Sequence, residues 1–214
     1  MAMIVRRARR EDADFLAWVM LFASRSHLNS GAWDLLVGTG ESDCLEYLRR
    51  LAVSELRSLC HYESFWVAEV DGEPGAALSD FDRRAGGWAL AGQVMSNVQR
   101  DLGWTEADLA ASQERAAPVW ACFLSDIGAD WGIEHVATRP EYRRRGLAAA
   151  LMNRALFEGR ERGCQLAQIT TFIGNDVAQS LYKRFGFRLS EEKRCNEMES
   201  VLGTPGFARL ILEL

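Results

Sequence analysis

The chain has 214 residues, of which 48% are apolar, so it is long enough for one domain with a sizeable core. Its formal net charge is −5, which argues against nucleic acid as a partner, because a phosphate-binding surface needs a basic excess. The same acidity is compatible with a cationic amine as substrate.

Neither a metal site nor a membrane segment is predicted. The histidines lack metal-ligand spacing: His27, His61 and His135. The apolar run at 15–22 is too short to span a bilayer, and acidic residues precede it where a signal peptide would be basic. The odd number of cysteines and the lack of a C-x-x-C pair predict reduced thiols in a cytoplasmic chain: Cys44, Cys60, Cys122, Cys164 and Cys195.

The first part of the chain predicts a short strand at 3–8 and then a helix from Glu11 to about His27. Acidic residues occupy the first turn of that helix, as the helix dipole prefers. Residues 28–40 are rich in Gly, Ser, Asn and Thr, so we expect a loop, with Trp33 as its apolar anchor. A stripe of leucines at helical spacing then predicts an amphipathic helix over 43–59.

A hairpin follows. Two apolar runs, Phe65–Val70 and Ala76–Phe81, flank an Asp71-Gly72 pair, which is a strong signal for a tight turn between antiparallel strands.

The 82–130 segment separates this hairpin from the next predicted strand. It contains two expected helices, Leu90–Leu102 and Glu106–Ala117, the second started by Thr105 as N-cap. A further apolar stretch occupies 119–124. No Pro- or Ser-rich linker flanks the segment, so we expect it to pack on the rest of the chain.

The remaining chain predicts a strand–helix–strand unit: Ile133–Thr138, Leu147–Arg162 and Gln165–Thr171. It continues with one helix and two strands: Asp176–Phe185, Phe187–Arg194 and Gly206–Leu214.

The stretch from Val136 to Ala148 is the most informative part of the sequence. It combines the end of a strand, a turn at Pro140 and three consecutive arginines before Gly146 at the start of a helix. A helix start presents unpaired N–H groups and the positive end of the dipole, and a glycine allows close approach to the backbone. These features predict a pyrophosphate site.

The order Arg-x-x-Gly-x-Ala over 143–148, after a strand ending Val-x-Thr-x-Pro, resembles motif A of the GNAT superfamily of acyl-CoA N-acyltransferases. The order Asn-x-x-Ala-x-x-Leu-Tyr-x-x-Phe-Gly-Phe over 175–187 is similar to motif B of the same family. Either motif alone is weak, whereas the two in this order are specific.

The resemblance implies an α/β fold with a mixed, mostly antiparallel twisted sheet flanked by helices, and makes 82–130 a helical insertion before the motif A strand. It implies acetyl-CoA as the acyl donor, without a metal. The implied donor-binding residues are Val136, Ala137, Thr138, Arg143, Arg144, Arg145, Gly146, Leu147, Ala148 and Asn175. The first three offer backbone groups to the pantetheine arm. Asn175 either holds that arm or caps its own helix.

The resemblance also implies that Tyr182 is the general acid that protonates the leaving thiolate, and its ordinary pKa near 10 suits that role. An alternative is a buried tyrosine bonded to a carbonyl. A primary amine must lose a proton before it attacks, and Glu134, on the strand that leads into motif A, is the candidate base. Solvation of a strand edge would explain Glu134 equally well. Weaker candidates for the base are Asp80, Asp82, Asp126 and Asp130.

These features predict an N-acetyltransferase whose acceptor is a small-molecule amine or a peptide amine; antibiotic, polyamine, amino acid and protein N-terminus all stay open, as does a homodimer. The alternative is a non-catalytic acyl-CoA-binding or sensing module. A nucleoside-triphosphate enzyme is disfavoured because no Gly-Lys-Ser/Thr follows the loop. We expect the tryptophans of the insertion either to line an acceptor pocket or to build a small core of their own: Trp88, Trp104, Trp120 and, just beyond, Trp131.

Overall fold

The computed structural model describes residues 2–214 and arranges seven strands in one sheet, in the order β1-β2-β3-β4-β5-β7-β6. The strands are β1 Met3–Arg7, β2 Phe65–Val70, β3 Glu73–Asp82, β4 Trp131–Thr138, β5 Leu166–Phe172, β6 Arg188–Arg194 and β7 Gly206–Glu213. The helices are α1 Ala13–Arg25, α2 Ala32–Val37, α3 Glu41–Ala52, α4 Gly87–Asp101, α5 Glu106–Cys122, α6 Leu147–Glu161, α7 Asp176–Arg184 and α8 Asn196–Leu202.

The sheet is mixed and mostly antiparallel, as predicted. Neighbouring strands run antiparallel except β4 and β5, which are parallel because α6 carries the chain back between them. The β2–β3 hairpin turns at Asp71 and Gly72, whose φ angles of 52° and 91° give the twist that a two-residue turn requires. No helix within residues 2–214 is long and apolar enough to cross a membrane.

Two apolar clusters lie on opposite faces of the sheet. Helices α6 and α7 cover one face, where Ile133, Leu151 and Tyr182 pack together. Helices α1, α3 and α4 cover the other face, where Leu16, Leu48 and Val94 are buried.

The predicted insertion contains α4 and α5 and packs against the helices that precede it. Thr105 caps α5, its hydroxyl accepting from the N–H of Asp108 at 3.2 Å. The helix continues beyond the expected end at Ala117, through Pro118, to Cys122. The apolar stretch that follows Ala117 in the sequence is therefore largely the last turn of α5.

Two helices were not predicted, and one was predicted too long. Helix α2 lies inside the expected loop 28–40, where Trp33 is buried as anticipated. Its last carbonyls accept from α5: Arg115 Nε donates to Leu35 O at 2.9 Å, and Ser112 Oγ donates to Leu36 O at 2.7 Å. Such partners, distant in sequence, leave no local signal. Helix α8, of seven residues, was also not predicted. Helix α3 is shorter than predicted, because it ends at Ala52 rather than near Leu59.

The expectation of five free thiols was wrong for one pair. Cys122 at the end of α5 forms a disulfide with Cys195, which precedes α8. The other three thiols are free and buried: Cys44, Cys60 and Cys164. The disulfide joins the insertion to the segment between β6 and β7, a pairing across 73 residues of sequence that spacing alone does not reveal.

Candidate active site

A cavity of about 1290 Å³ is lined by α1 and the insertion, on one face of the sheet, and also by parts of α6 and α7, on the other. Its lining comes from the motif A loop, β4, β5, β7, α1, α7 and the insertion. It therefore brings together segments that the sequence analysis assigned to donor binding, proton transfer and acceptor binding.

Strands β4 and β5 part in the middle of this cavity. Their parallel pairing covers only three residues of β4 and ends at Ile133↔Ile169, although both strands continue. Beyond that point Val136–Thr138 line the cavity, and Ala137 and Thr138 pair with β3 alone, as Ala77↔Ala137 and Ala76↔Thr138. The edge of β4 that faces away from β3 is thus left without a partner strand, and an extended ligand could add there as a strand.

A bulge in β4 accompanies the separation. His135 has a φ of 52°, in the left-handed region that a non-glycine residue seldom adopts, and the β3–β4 register shifts between Ala77 and Ser79. The extra residue turns Glu134 and His135 toward the cavity, since both line it.

The motif A loop leads into α6 with its first N–H groups uncapped. Gly146 precedes the helix with a φ of 83°, and no side chain caps this end. A Cβ at Gly146 would meet nothing within 4 Å, so the space over the helix start is open to a ligand. Arg143 and Arg144 line the same region. This arrangement fits a pyrophosphate, which needs N–H donors, positive charge and close approach to the backbone.

Not every predicted donor-binding residue contributes a side chain to the cavity. Leu147 lines it, but the residue is 2% exposed and its side chain packs in the core. The Arg145 guanidinium lies over the Tyr142 ring, 5.4 Å from its centroid, and Arg145 does not line the cavity.

Asn175 caps α7. Its Oδ1 accepts from Ala178 N at 3.2 Å, and its Nδ2 donates to Ser26 Oγ at 2.6 Å and to Thr171 Oγ1 at 3.3 Å. The residue lines the cavity, but both ends of its side chain already have protein partners.

Glu134 and Tyr182 lie on either side of the parted strands. Burial raises the pKa of Glu134 to about 8, a change that the positive charge of Arg83 partly opposes. Burial also raises the pKa of Tyr182, and the nearby negative charge of Glu134 raises it further. The cavity therefore holds a carboxyl that titrates near neutrality and a phenol that keeps its proton.

The weaker candidates for the base are held elsewhere or already engaged. Asp80 is buried on the opposite face, where it accepts from Arg7 and from the Trp66 indole. Asp82 caps the turn after β3, and Asp130 accepts from backbone N–H groups at the start of β5. Asp126 does line the cavity, but the hydrogen bond from the Gly128 N–H, then that from Arg83, holds its pKa below the ordinary value.

His135 is a cavity residue that the sequence analysis considered only as a metal ligand. Its ring stacks between Trp33 and Phe65, with centroids 6.4 Å and 5.9 Å away, and its Nδ1 lies 3.3 Å from Ser79 Oγ. Burial lowers its pKa to about 4, so the imidazole is neutral at working pH. His135 reaches the cavity because of the bulge in the pairing of β3 with β4. The sequence alone does not show how two strands pair, so this role of His135 was missed.

Aromatic side chains form one wall of the cavity, which we call the aromatic wall: Trp88, Trp120, Phe123, Phe172 and Phe207. Two of the insertion tryptophans thus line the cavity. The other two do not: Trp104 stacks on Tyr47 in the core at 5.7 Å, and Trp131 is buried with its indole N–H donating to Ala155 O at 3.0 Å.

Residues 32–187 match the model of the Acetyltransferase (GNAT) family, which is more than half of the chain. The chain belongs to this family. The resemblance read from motifs A and B is therefore confirmed, and with it the assignment of the chain as an acyltransferase of the GNAT type.

Solved structures share the fold of this GNAT chain at low sequence identity. An N-acetyltransferase from Staphylococcus aureus Mu50 is 19% identical with a TM-score of 0.65, over 98% of this chain and 100% of that one. Another acetyltransferase is 15% identical with a TM-score of 0.67, over 96% and 97%. A polyamine N-acetyltransferase of Drosophila melanogaster is 16% identical with a TM-score of 0.56, over the full length of both chains. At these identities the likeness concerns the fold.

Proposed function

We propose that this GNAT chain transfers the acetyl group of acetyl-CoA to a primary amine by direct attack in a ternary complex. The observation that supports this most is the continuity of the cavity. One open space runs from the uncapped start of α6, along the free edge of β4, to Glu134 and Tyr182.

The donor is bound largely by backbone. The N–H groups at the start of α6, with Arg143 and Arg144, hold the pyrophosphate, and hydrogen bonds to a charged partner contribute about 1.5–3 kcal/mol each. The free edge at Val136–Thr138 pairs with the pantetheine arm as a strand would. Acetyl-CoA supplies a thioester, whose acetyl carbon becomes bonded to the amine nitrogen as its bond to sulfur breaks.

The two titrating side chains move the protons. Glu134, as carboxylate, takes a proton from the amine, directly or through water. Tyr182 donates its phenolic proton to the sulfur that leaves, so that free thiol and amide are the products. The thiol has an ordinary pKa near 8.5, and the raised pKa of Tyr182 keeps the phenol protonated until the thiolate forms.

The acceptor occupies the part of the cavity beneath the aromatic wall. Trp88 and Trp120 belong to the insertion, which supports our expectation that this segment helps to bind the acceptor. Ring faces would pack against an apolar body and attract cationic character.

The test is an assay of purified protein with acetyl-CoA and a panel of amines, which follows both the release of free thiol and the formation of amide. Amide formation that is lost in Tyr182→Phe and Glu134→Gln supports the proposal. Tight binding of acetyl-CoA without transfer to any amine would instead favour the non-catalytic acyl-CoA-binding module.

A further inference from the structure

Arg209 places a buried cation in the cavity wall. It lies on β7, two residues from Phe207 of the aromatic wall, is 1% exposed and lines the cavity. Its Nη1 donates to Glu191 Oε2 at 3.1 Å and its Nη2 donates to Ser125 O. Its Nε is buried and has no hydrogen-bond partner. Buried polar groups without partners are uncommon in folded proteins, so this N–H calls for an acceptor that the protein does not supply.

Gln168, which lies nearby, has a buried acceptor atom without a hydrogen-bond donor. It lies on β5, is 7% exposed and lines the cavity, and its Oε1 is buried without a partner. Gln168 pairs with Ile211, two residues beyond Arg209 on β7, so the two side chains are diagonal neighbours on one face of the sheet. A donor without an acceptor thus lies close to an acceptor without a donor. A ligand with both groups would satisfy both.

The balance of charge around this pair is positive. Among the residues the structure describes, Asp126 and Glu134 are the acidic side chains that line the cavity. Asp126 is 72% exposed and forms an ion pair with Arg83 at 2.8 Å. Glu191, the partner of Arg209, is 42% exposed and lies outside the lining. Solvated carboxylates compensate a buried cation only weakly, so this part of the cavity favours an anion.

We infer that the acceptor of this acetyltransferase is an α-amino acid with an apolar side chain. Its carboxylate binds the Nε edge of Arg209, its amine donates to Gln168 Oε1 on the side of Glu134, and its side chain packs on the aromatic wall. This inference rests on the proposed function. Polyamines fit less well, because they carry a second ammonium group where an amino acid carries its carboxylate. That ammonium group would be repelled by Arg83 and Arg209.

The experiment uses matched pairs of acceptors that differ only in the carboxylate. Phenylalanine, leucine, methionine and tryptophan are each compared with their decarboxylated amines, and spermidine is included as a polycation. Rates are expressed as kcat/KM per concentration of free amine base, which removes differences in amine pKa. The variants are Arg209→Met and, as matched control, Arg188→Met, which removes an exposed arginine that pairs with Glu213 away from the cavity.

We expect wild type and Arg188→Met to prefer the amino acid of at least one pair by about 10–100-fold, the worth of a charge-assisted hydrogen bond. In Arg209→Met the preference should fall to about one. Gln168→Leu should lower kcat/KM for both members of each pair and leave their ratio unchanged, because both carry the amine; a ratio that falls in Gln168→Leu would contradict this placement of the amine. The inference would be overturned if, in wild type, kcat/KM for the amino acid did not exceed that for the decarboxylated amine in any pair, or if wild type preferred spermidine.

Binding provides a second readout, independent of turnover. Calorimetry should detect N-acetylphenylalanine with wild type, and binding of N-acetylphenethylamine should be weaker by a similar factor. If no amine is acetylated but this preference is seen and depends on Arg209, the proposed function fails and the carboxylate site stands. If acetylation occurs but the two products bind alike, the carboxylate site fails and the proposed function stands.

Discussion

Glu134→Gln removes a carboxylate while it keeps the volume and the position of the side chain on β4. With a pKa of about 8, the Glu134 carboxyl is ionised in about a tenth of molecules at pH 7 and about nine-tenths at pH 9. Only the ionised form can take a proton from the amine. The ratio of wild-type to variant kcat/KM should therefore rise about tenfold between pH 7 and pH 9.

The ratio is used because the amine itself also loses its proton over this range, and that effect is common to both proteins. A general base contributes about 10²–10⁴-fold, so the ratio should approach such values at pH 9. Glu141→Gln is the matched control: Glu141 is an exposed carboxylate in the motif A loop that does not line the cavity. A ratio that stays flat from pH 7 to pH 9 would assign the base to another group.

The same variant makes a prediction for stability. In the unfolded chain Glu134 ionises near its ordinary value of 4.5, and in the folded chain near 8, so the folded state binds more protons between these values. The unfolding free energy of wild type should therefore fall relative to Glu134→Gln as pH rises from 4.5 to 8. The full pKa difference corresponds to about 5 kcal/mol, and because Glu134 is only partly buried and lines an open cavity we expect about 2 kcal/mol. Denaturant titrations at pH 5 and pH 9 measure these free energies. If wild type and Glu134→Gln differ in unfolding free energy by the same amount at both pH values, Glu134 is not desolvated in the folded state.

Further predictions concern other parts of the site. Tyr182→Phe should lower kcat by about 10²–10⁴-fold and change KM little, because the hydroxyl acts as the bond to sulfur breaks; an unchanged kcat by steady-state kinetics would exclude it as the acid. Gly146→Glu should abolish acetyl-CoA binding in calorimetry, because the added side chain enters the open space where phosphate must lie, and it should cost about 1–2 kcal/mol of stability, because Gly146 has a positive φ. Unaltered affinity would mean that the pyrophosphate does not bind at this loop. Trp120→Ala should raise the KM for the acceptor and leave acetyl-CoA affinity alone, whereas Trp104→Ala should mainly lower the melting temperature. Thiol titration of unfolded protein should find three reactive thiols without reductant and five with it, and five in both cases would contradict the disulfide.

The sequence was most informative where structure is decided locally. The Asp71-Gly72 turn and the Thr105 cap follow from the conformations and hydrogen bonds of a few adjacent residues, and both are confirmed. The strand–loop–helix around Gly146 was visible for the same reason. Its glycine has the positive φ that close approach to a ligand uses.

Features that depend on distant contacts were missed. Helix α2 is stabilised by donors from α5, and the disulfide joins cysteines from separate elements. The bulge at His135 is a matter of register between β3 and β4. Arg209 was hidden in an apolar strand pattern, where one charged residue gives no indication of whether it faces solvent or a cavity.

We propose that this chain moves an acetyl group from acetyl-CoA to an amine within the cavity between β4 and β5. The most direct measurement incubates purified protein with acetyl-CoA that carries an isotopically labelled acetyl group and with the amine panel, and follows the label by mass spectrometry. We expect the label in an amide of the acceptor, with equimolar release of free thiol, in wild type and not in Gly146→Glu. Label that remains on bound acetyl-CoA with every amine tested would contradict acetyl transfer by this chain.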